Sequence, residues 1–97
     1  MVTSSSSTDI RTRSKQLFGN SYMLEVCAAL GAVKERANLT ELLRNSDASP
    51  SLYSGPLHRL LDAGLLTREA RPGDDYRERW YRPEKTGLWR VARELIK

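Results

Sequence analysis

Apolar residues recur at helical spacing through the first two thirds of the chain. Between Asp9 and Phe18, residues Ile10, Leu17 and Phe18 supply the apolar contacts of a short helix, and Gly19 would stop it. Met23, Val26, Cys27 and Leu30 follow at i, i+3, i+4 and i+7, one face of a second helix ending near Gly31, for which Asn20 or Ser21 offers an N-cap. A polar link from Val33 to Ala37 leads to Asn38-Leu39-Thr40-Glu41. There Asn38 with Glu41 three residues later resembles a capping box, Thr40 is a competing cap, and Leu39, Leu42 and Leu43 give a short helix its apolar side.

Asn45-Ser46-Asp47-Ala48 is turn-forming, and Ser49-Pro50 places a capping side chain before a proline at the first helical position, where its missing N–H costs nothing. In the helix from Pro50 to Ala63, Tyr53, Leu57, Leu60 and Leu61 face inward. Ser51, Ser54, Gly55, His58 and Arg59 are left toward solvent or a ligand, and Gly64 is placed to stop the helix in the left-handed conformation. Pro56 falls inside this helix. Either it kinks the helix, at a typical cost of about 3 kcal/mol, or it opens a second N-terminus capped by Ser54.

After Leu66 the pattern becomes that of a hairpin. Thr67 to Arg71 reads as a strand, Arg71-Pro72-Gly73-Asp74 as a type II turn, and Tyr76 to Arg82 as the returning strand. Trp80 and Tyr81 point to opposite faces, so one packs on the core, and alternation alone leaves open which. Pro83 and Glu84 break the strand, and from about Thr86 a last helix carries the narrow stripe Leu88, Val91, Ala92 and Leu95. No segment repeats. Residues 1–8, rich in Ser and Thr, read as a flexible arm, and residues 9–97 as one domain.

Charge sharpens this picture more than composition does. The net charge is +4, with +3 of it in residues 66–97, +2 in the first twenty residues and −1 between them. Five arginines (Arg68, Arg71, Arg77, Arg79 and Arg82) converge on the hairpin next to the Pro50 helix, which favours contact with a polyanion over cross-strand ion pairing that only keeps an edge soluble. There is no apolar run of the ~20 residues that a bilayer span needs and no basic-then-apolar start, so a cytoplasmic protein is expected, without a membrane partner.

The single cysteine excludes an intrachain disulfide and a cysteine-based metal cage. His58, the single histidine, has no partner that would make a metal site, and Asp74-Asp75 after Pro-Gly read as turn residues. No nucleophilic triad or Gly-rich phosphate loop is present, so neither catalysis, nor a metal, nor a cofactor is expected.

After the first short helix the element order is helix, helix, turn, helix, two-stranded hairpin, helix: mainly α with a small β-hairpin. Leu17-Phe18-Gly19-Asn20, Thr40-Glu41-Leu42, Ser49-Pro50-Ser51, Leu60-Leu61-Asp62-Ala63-Gly64-Leu65-Leu66 and Trp80-Tyr81-Arg82-Pro83 together resemble bacterial transcription regulators of the ArsR/MarR/PadR type, over roughly residues 17–95. The resemblance implies a winged helix-turn-helix that binds double-stranded DNA. It places Ser51, Leu52, Ser54, Gly55, His58 and Arg59 on or beside the DNA-facing side of the recognition helix, Thr40 and Ser49 at phosphates, and Arg71, Arg77 and Arg79 in the wing. The paired cysteines of metal-sensing members are absent from Glu41-Leu42-Leu43-Arg44, so that role does not carry over.

Such regulators usually act as homodimers, and the stripe Leu88, Val91, Ala92 and Leu95, with Ile10, Leu17 and Phe18, is the candidate dimer interface. The alternative is that both terminal helices fold onto their own core. The function expected is transcriptional regulation, most simply repression. The rival readings are a protein-interaction module of the same shape, and a DNA-binding partition, excision or architectural factor.

Overall fold

The computed structural model describes residues 7–69 and 80–96. Five helices and three short strands lie among them, in the order α1 (Ser7–Phe18), α2 (Met23–Gly31), β1 (Ala37–Asn38), α3 (Leu39–Leu42), α4 (Pro50–Asp62), β2 (Leu66–Glu69), β3 (Trp80–Pro83) and α5 (Leu88–Leu95). Residues 1–6 of the arm and, in the hairpin, the end of the first strand, the turn 71–74 and the start of the return strand at Tyr76 lie outside the described residues.

Helix α2 is the centre of the molecule. Met23, Leu24, Val26, Cys27, Ala28 and Leu30 are all buried, because α1, α4 and α5 pack on it from different sides. The apolar surface it needs is therefore wider than the single stripe read from the sequence. Helix α5 approaches closely at Gly31, where an added Cβ would stand 3.1 Å from the Cβ of Trp89 and 3.1 Å from Cδ of Arg93. Trp89 is buried beside it, its indole N–H donating to the Glu84 carbonyl at 2.7 Å.

Capping at the start of α2 differs from expectation. Neither Asn20 nor Ser21 is the N-cap; Tyr22 is, without a side-chain cap bond. Instead the fully buried Ser14 of α1 accepts the Leu24 N–H at 2.9 Å and donates to the Asn20 carbonyl at 2.6 Å. One hydroxyl thus satisfies the second turn-opening amide of α2 and pins α1 to it. At α3 the capping box is present as expected: Asn38 Oδ1 accepts the Glu41 N–H at 2.9 Å and Glu41 Oε1 accepts the Asn38 N–H at 3.2 Å.

The sheet has three antiparallel strands in the order β1-β3-β2, where the sequence reading had two. The extra strand is only Ala37–Asn38, opposite Tyr81 and Trp80, where the polar link from Val33 to Ala37 meets Asn38. Two residues are too few to show an alternating pattern. On β3 it is Tyr81 that is buried, while Trp80 is half-buried, with the Arg36 guanidinium carbon 5.6 Å from its ring centroid.

Helix α4 runs unbroken from Pro50 to Asp62 with the buried Pro56 inside it, so Ser54 does not cap a second helix. Gly55 helps here, because a Cβ before proline would crowd the ring in helical backbone. The helix ends in a Schellman motif: the Leu65 N–H reaches the Leu60 carbonyl at 3.0 Å, the Gly64 N–H reaches that of Leu61 at 3.1 Å, and Gly64 has φ +79°. An added Cβ at Gly64 meets nothing within 4 Å, so the cost of Gly64→Ala is conformational alone. It is expected to lower the unfolding free energy by about 1–2 kcal/mol, with an unchanged denaturant slope in urea titration. An unaltered midpoint would show that the left-handed cap is not needed.

Cys27 is fully buried, the small core residue expected from its place on the α2 stripe, and burial pushes its thiol up to about 11. The unfolded chain gives up this proton first, near the ordinary thiol value of about 8.5. Ionisation of Cys27 therefore removes stability only as pH rises from that value toward about 11, and makes no contribution below it. A thiol reagent at pH 8 should label Cys27 at the rate of unfolding; fast labelling of the native protein would contradict its burial.

Candidate nucleic-acid interface

Helix α4 carries its two faces as its spacing requires. Tyr53, Pro56, Leu57 and Leu60 are buried and Leu61 is half-buried, and this fixes the roll of the helix on α2. The opposite face offers Ser51, Leu52, Ser54, Gly55, His58 and Arg59, all exposed, with Leu52 at 41% of its full accessibility. These side chains are short except for His58 and Arg59, and an added Cβ at Gly55 would meet only Asn20 Nδ2, at 3.8 Å. The surface is therefore low around Ser51, Ser54 and Gly55, with the apolar Leu52 exposed on it and Arg59 followed three residues later by the exposed Asp62, a shape that lets the helix backbone come close to another molecule.

The opening of α4 is also accessible. Ser49 is the N-cap with extended backbone, but its hydroxyl makes no cap bond and lies 3.2 Å from the Ser51 hydroxyl. Pro50 has no N–H to satisfy. The Leu52 N–H is taken up by the Ser49 carbonyl at 3.0 Å. Thr40, on the first turn of α3, is likewise exposed.

Of the hairpin arginines, Arg71, Arg77 and Arg79 lie outside the described residues. Arg68 is exposed on β2. Arg82 is an exposed side chain paired with Glu69 across the strands at 3.2 Å, so at this position the cross-strand ion pair is present. Thr67 of β2 donates a hydrogen bond to Glu84, the residue after β3.

The terminal helices fold largely onto their own core. Ala92 is fully buried within the chain, which removes it from any surface two copies could share. Ile10, Phe18, Leu88 and Leu95 are partly buried against the same core, leaving Leu17 and Val91, at 56% and 44%, as the exposed members of the proposed stripe. Arg13 of α1 donates to the Leu95 carbonyl at the end of α5, joining the two helices within one chain.

A polar cluster that no local motif announces holds α4 from behind. Glu25 of α2, with 16% of its side chain accessible, accepts from Arg11 Nε at 2.8 Å, Tyr53 Oη at 2.6 Å and Ser46 Oγ at 3.1 Å. Arg11 also reaches Asp47 at 2.6 Å, and its guanidinium carbon lies 4.7 Å from the Tyr22 ring centroid. The hydrogen bond from Arg11 holds the Asp47 carboxyl below the usual range, whereas burial and then the bond to Glu25 push the Tyr53 phenol well up. These residues are far apart in sequence, and only the packing of α1, α2 and α4 brings them together.

Among the described residues no helix is long and apolar enough to cross a membrane, and no group of three or more His, Cys, Asp or Glu side chains is placed to hold a metal ion. No protein-family model, curated protein or solved structure matches the chain.

Proposed function

We propose that this chain is a winged helix-turn-helix protein that binds double-stranded DNA as a homodimer and regulates transcription, most simply by occupying a promoter. The observation that carries the reading is the exposed face of α4, where Ser51, Ser54, Gly55, His58 and Arg59 stand clear of the core beside a helix start without a side-chain cap. Helix α3, the turn 43–49 and α4 form the helix-turn-helix in this reading, and the β2–β3 pair the base of the wing. Helix α4 enters the major groove, its low face reaching base edges and thymine methyls. Thr40, Ser49 and the α4 N-terminus engage phosphates, and Arg71, Arg77 and Arg79 neutralise the flanking backbone. Two copies would read half-sites about 34 Å apart.

The test is retention of genomic DNA fragments by the purified protein, followed by titration against salt. Affinity should fall steeply, with log K linear in log salt and a slope of about −0.9 per phosphate neutralised. Arg77→Ala with Arg79→Ala should weaken binding to all sequences alike and flatten that slope. No mobility shift on any fragment at low salt would end the DNA reading. Light scattering that found a monomer at tens of micromolar, with and without DNA, would end the dimer reading.

A further inference from the structure

The opening of α4 has no side-chain cap, and its local restraint is a single turn in which the Leu52 N–H reaches the Ser49 carbonyl at 3.0 Å. A second restraint comes from elsewhere in the chain. Tyr53, one turn into α4, donates to Glu25 at 2.6 Å. Ser46, in the preceding turn, donates to the same carboxylate at 3.1 Å and accepts the Ala48 N–H at 3.1 Å. Glu25 is in turn bound by Arg11 of α1, whose other arm takes Asp47 of that same turn. The Tyr22 and Tyr53 rings, with centroids 6.4 Å apart, close the gap between the turn before α2 and α4.

The two arms differ in strength. The Arg11–Glu25 contact is sheltered, with 21% and 16% of the side chains accessible, while Asp47 is 75% accessible and its arm is screened by water and salt. The Glu25 arm is thus the rigid one and the Asp47 arm a guide.

We propose that Arg11 and Glu25 form a strut through which α1 fixes the turn before α4 and the first turn of α4, making Arg11, Glu25 and Tyr53 positioning residues for the exposed α4 face. The DNA consequence rests on the proposed function; the mechanical one does not. A displacement of α1 reaches α4 through Glu25, with no need for contact between the two helices. Anything that moves α1, including a second copy of the chain against Leu17, would tilt the reading face.

Hydrogen exchange on the full chain separates these statements. Tyr53→Phe keeps the ring and removes one bond to Glu25, and Arg11→Lys keeps the charge but not the two-carboxylate fork. Each should speed exchange of amides in residues 46–54 by about tenfold, the scale of a lost hydrogen bond to a charged acceptor, while amides of α2 and α5 hold their rates. Because Arg11 and Tyr53 are linked through Glu25, their combined effect should depart from additivity by at least about twofold. Unchanged exchange at 46–54, or equal acceleration throughout the chain, overturns the strut. On DNA retained by the wild type, both variants should bind more weakly. Equal affinity despite faster exchange would overturn the positioning role, whereas a wild type that retains no DNA would remove the proposed function and leave the strut to be judged by exchange alone.

Discussion

Leu24→Ala is expected to lower the unfolding free energy by about 3–5 kcal/mol and the Tm by more than about 10 °C. Leu24 is fully buried in the helix on which α1, α4 and α5 converge, so the cavity cannot be closed by one neighbour moving in without loosening another. A chain of this size has a total stability on the order of 5–15 kcal/mol, so the loss is a large fraction of it. Urea unfolding followed by circular dichroism measures it as a shift of midpoint at constant slope. The contrast is Leu17→Ala: Leu17 is 56% exposed, and within an isolated chain the change should stay within about 0.5 kcal/mol. A loss below about 1 kcal/mol at Leu24 would contradict the central place of α2, and a large, concentration-dependent loss at Leu17 would locate a subunit contact there.

Leu24 also shows where a sequence pattern stops being informative. The stripe Met23, Val26, Cys27 and Leu30 describes one buried face, and a helix packed on several sides needs more than one. Trp89 of α5 is buried outside the stripe for the same reason, since the stripe runs through Leu88, Val91, Ala92 and Leu95 while Trp89 packs against Gly31. The features that read correctly are those whose cause is local. The Asn38–Glu41 box, the proline at the start of α4, the two faces of α4 and the left-handed Gly64 each depend on residues within a turn or two of one another.

The features that did not read are those whose cause is distant. Ser14 caps a helix ten residues downstream, and nothing in Asn20-Ser21-Tyr22 indicates that the cap will come from α1. Ala37–Asn38 becomes a strand because Trp80 and Tyr81 arrive beside it, not because of its own preference. Glu25 reads as an ordinary charged position on a helix, yet it gathers Arg11, Ser46 and Tyr53 from three other parts of the chain. Of the candidate site, the outward face of α4 was legible in full, and the means by which that face is held was not.

Gly55→Glu is expected to reduce affinity for DNA retained by the wild type by at least about hundredfold while leaving the fold in place. The fold should tolerate it because a Cβ at Gly55 meets only Asn20 Nδ2 at 3.8 Å, an ordinary contact, and the side chain continues into solvent. Two backbone effects oppose each other: replacing glycine inside a helix gains about 1 kcal/mol, and adding a Cβ before Pro56 loses a similar amount. Thermal stability of Gly55→Ala and Gly55→Glu should therefore stay within about 1 kcal/mol of the wild type. Binding has no such compensation. In the proposed complex a carboxylate in the middle of the α4 face would meet phosphates and the electronegative floor of the groove, and a like-charge juxtaposition across an interface costs several kcal/mol. Gly55→Ala, which adds bulk without charge, should lose affinity by a smaller factor, so that the ratio between the two variants isolates the electrostatic part. Competition binding at fixed salt measures all three proteins. Should Gly55→Glu bind as tightly as the wild type, α4 does not face the DNA, and the interface must be sought on the hairpin alone.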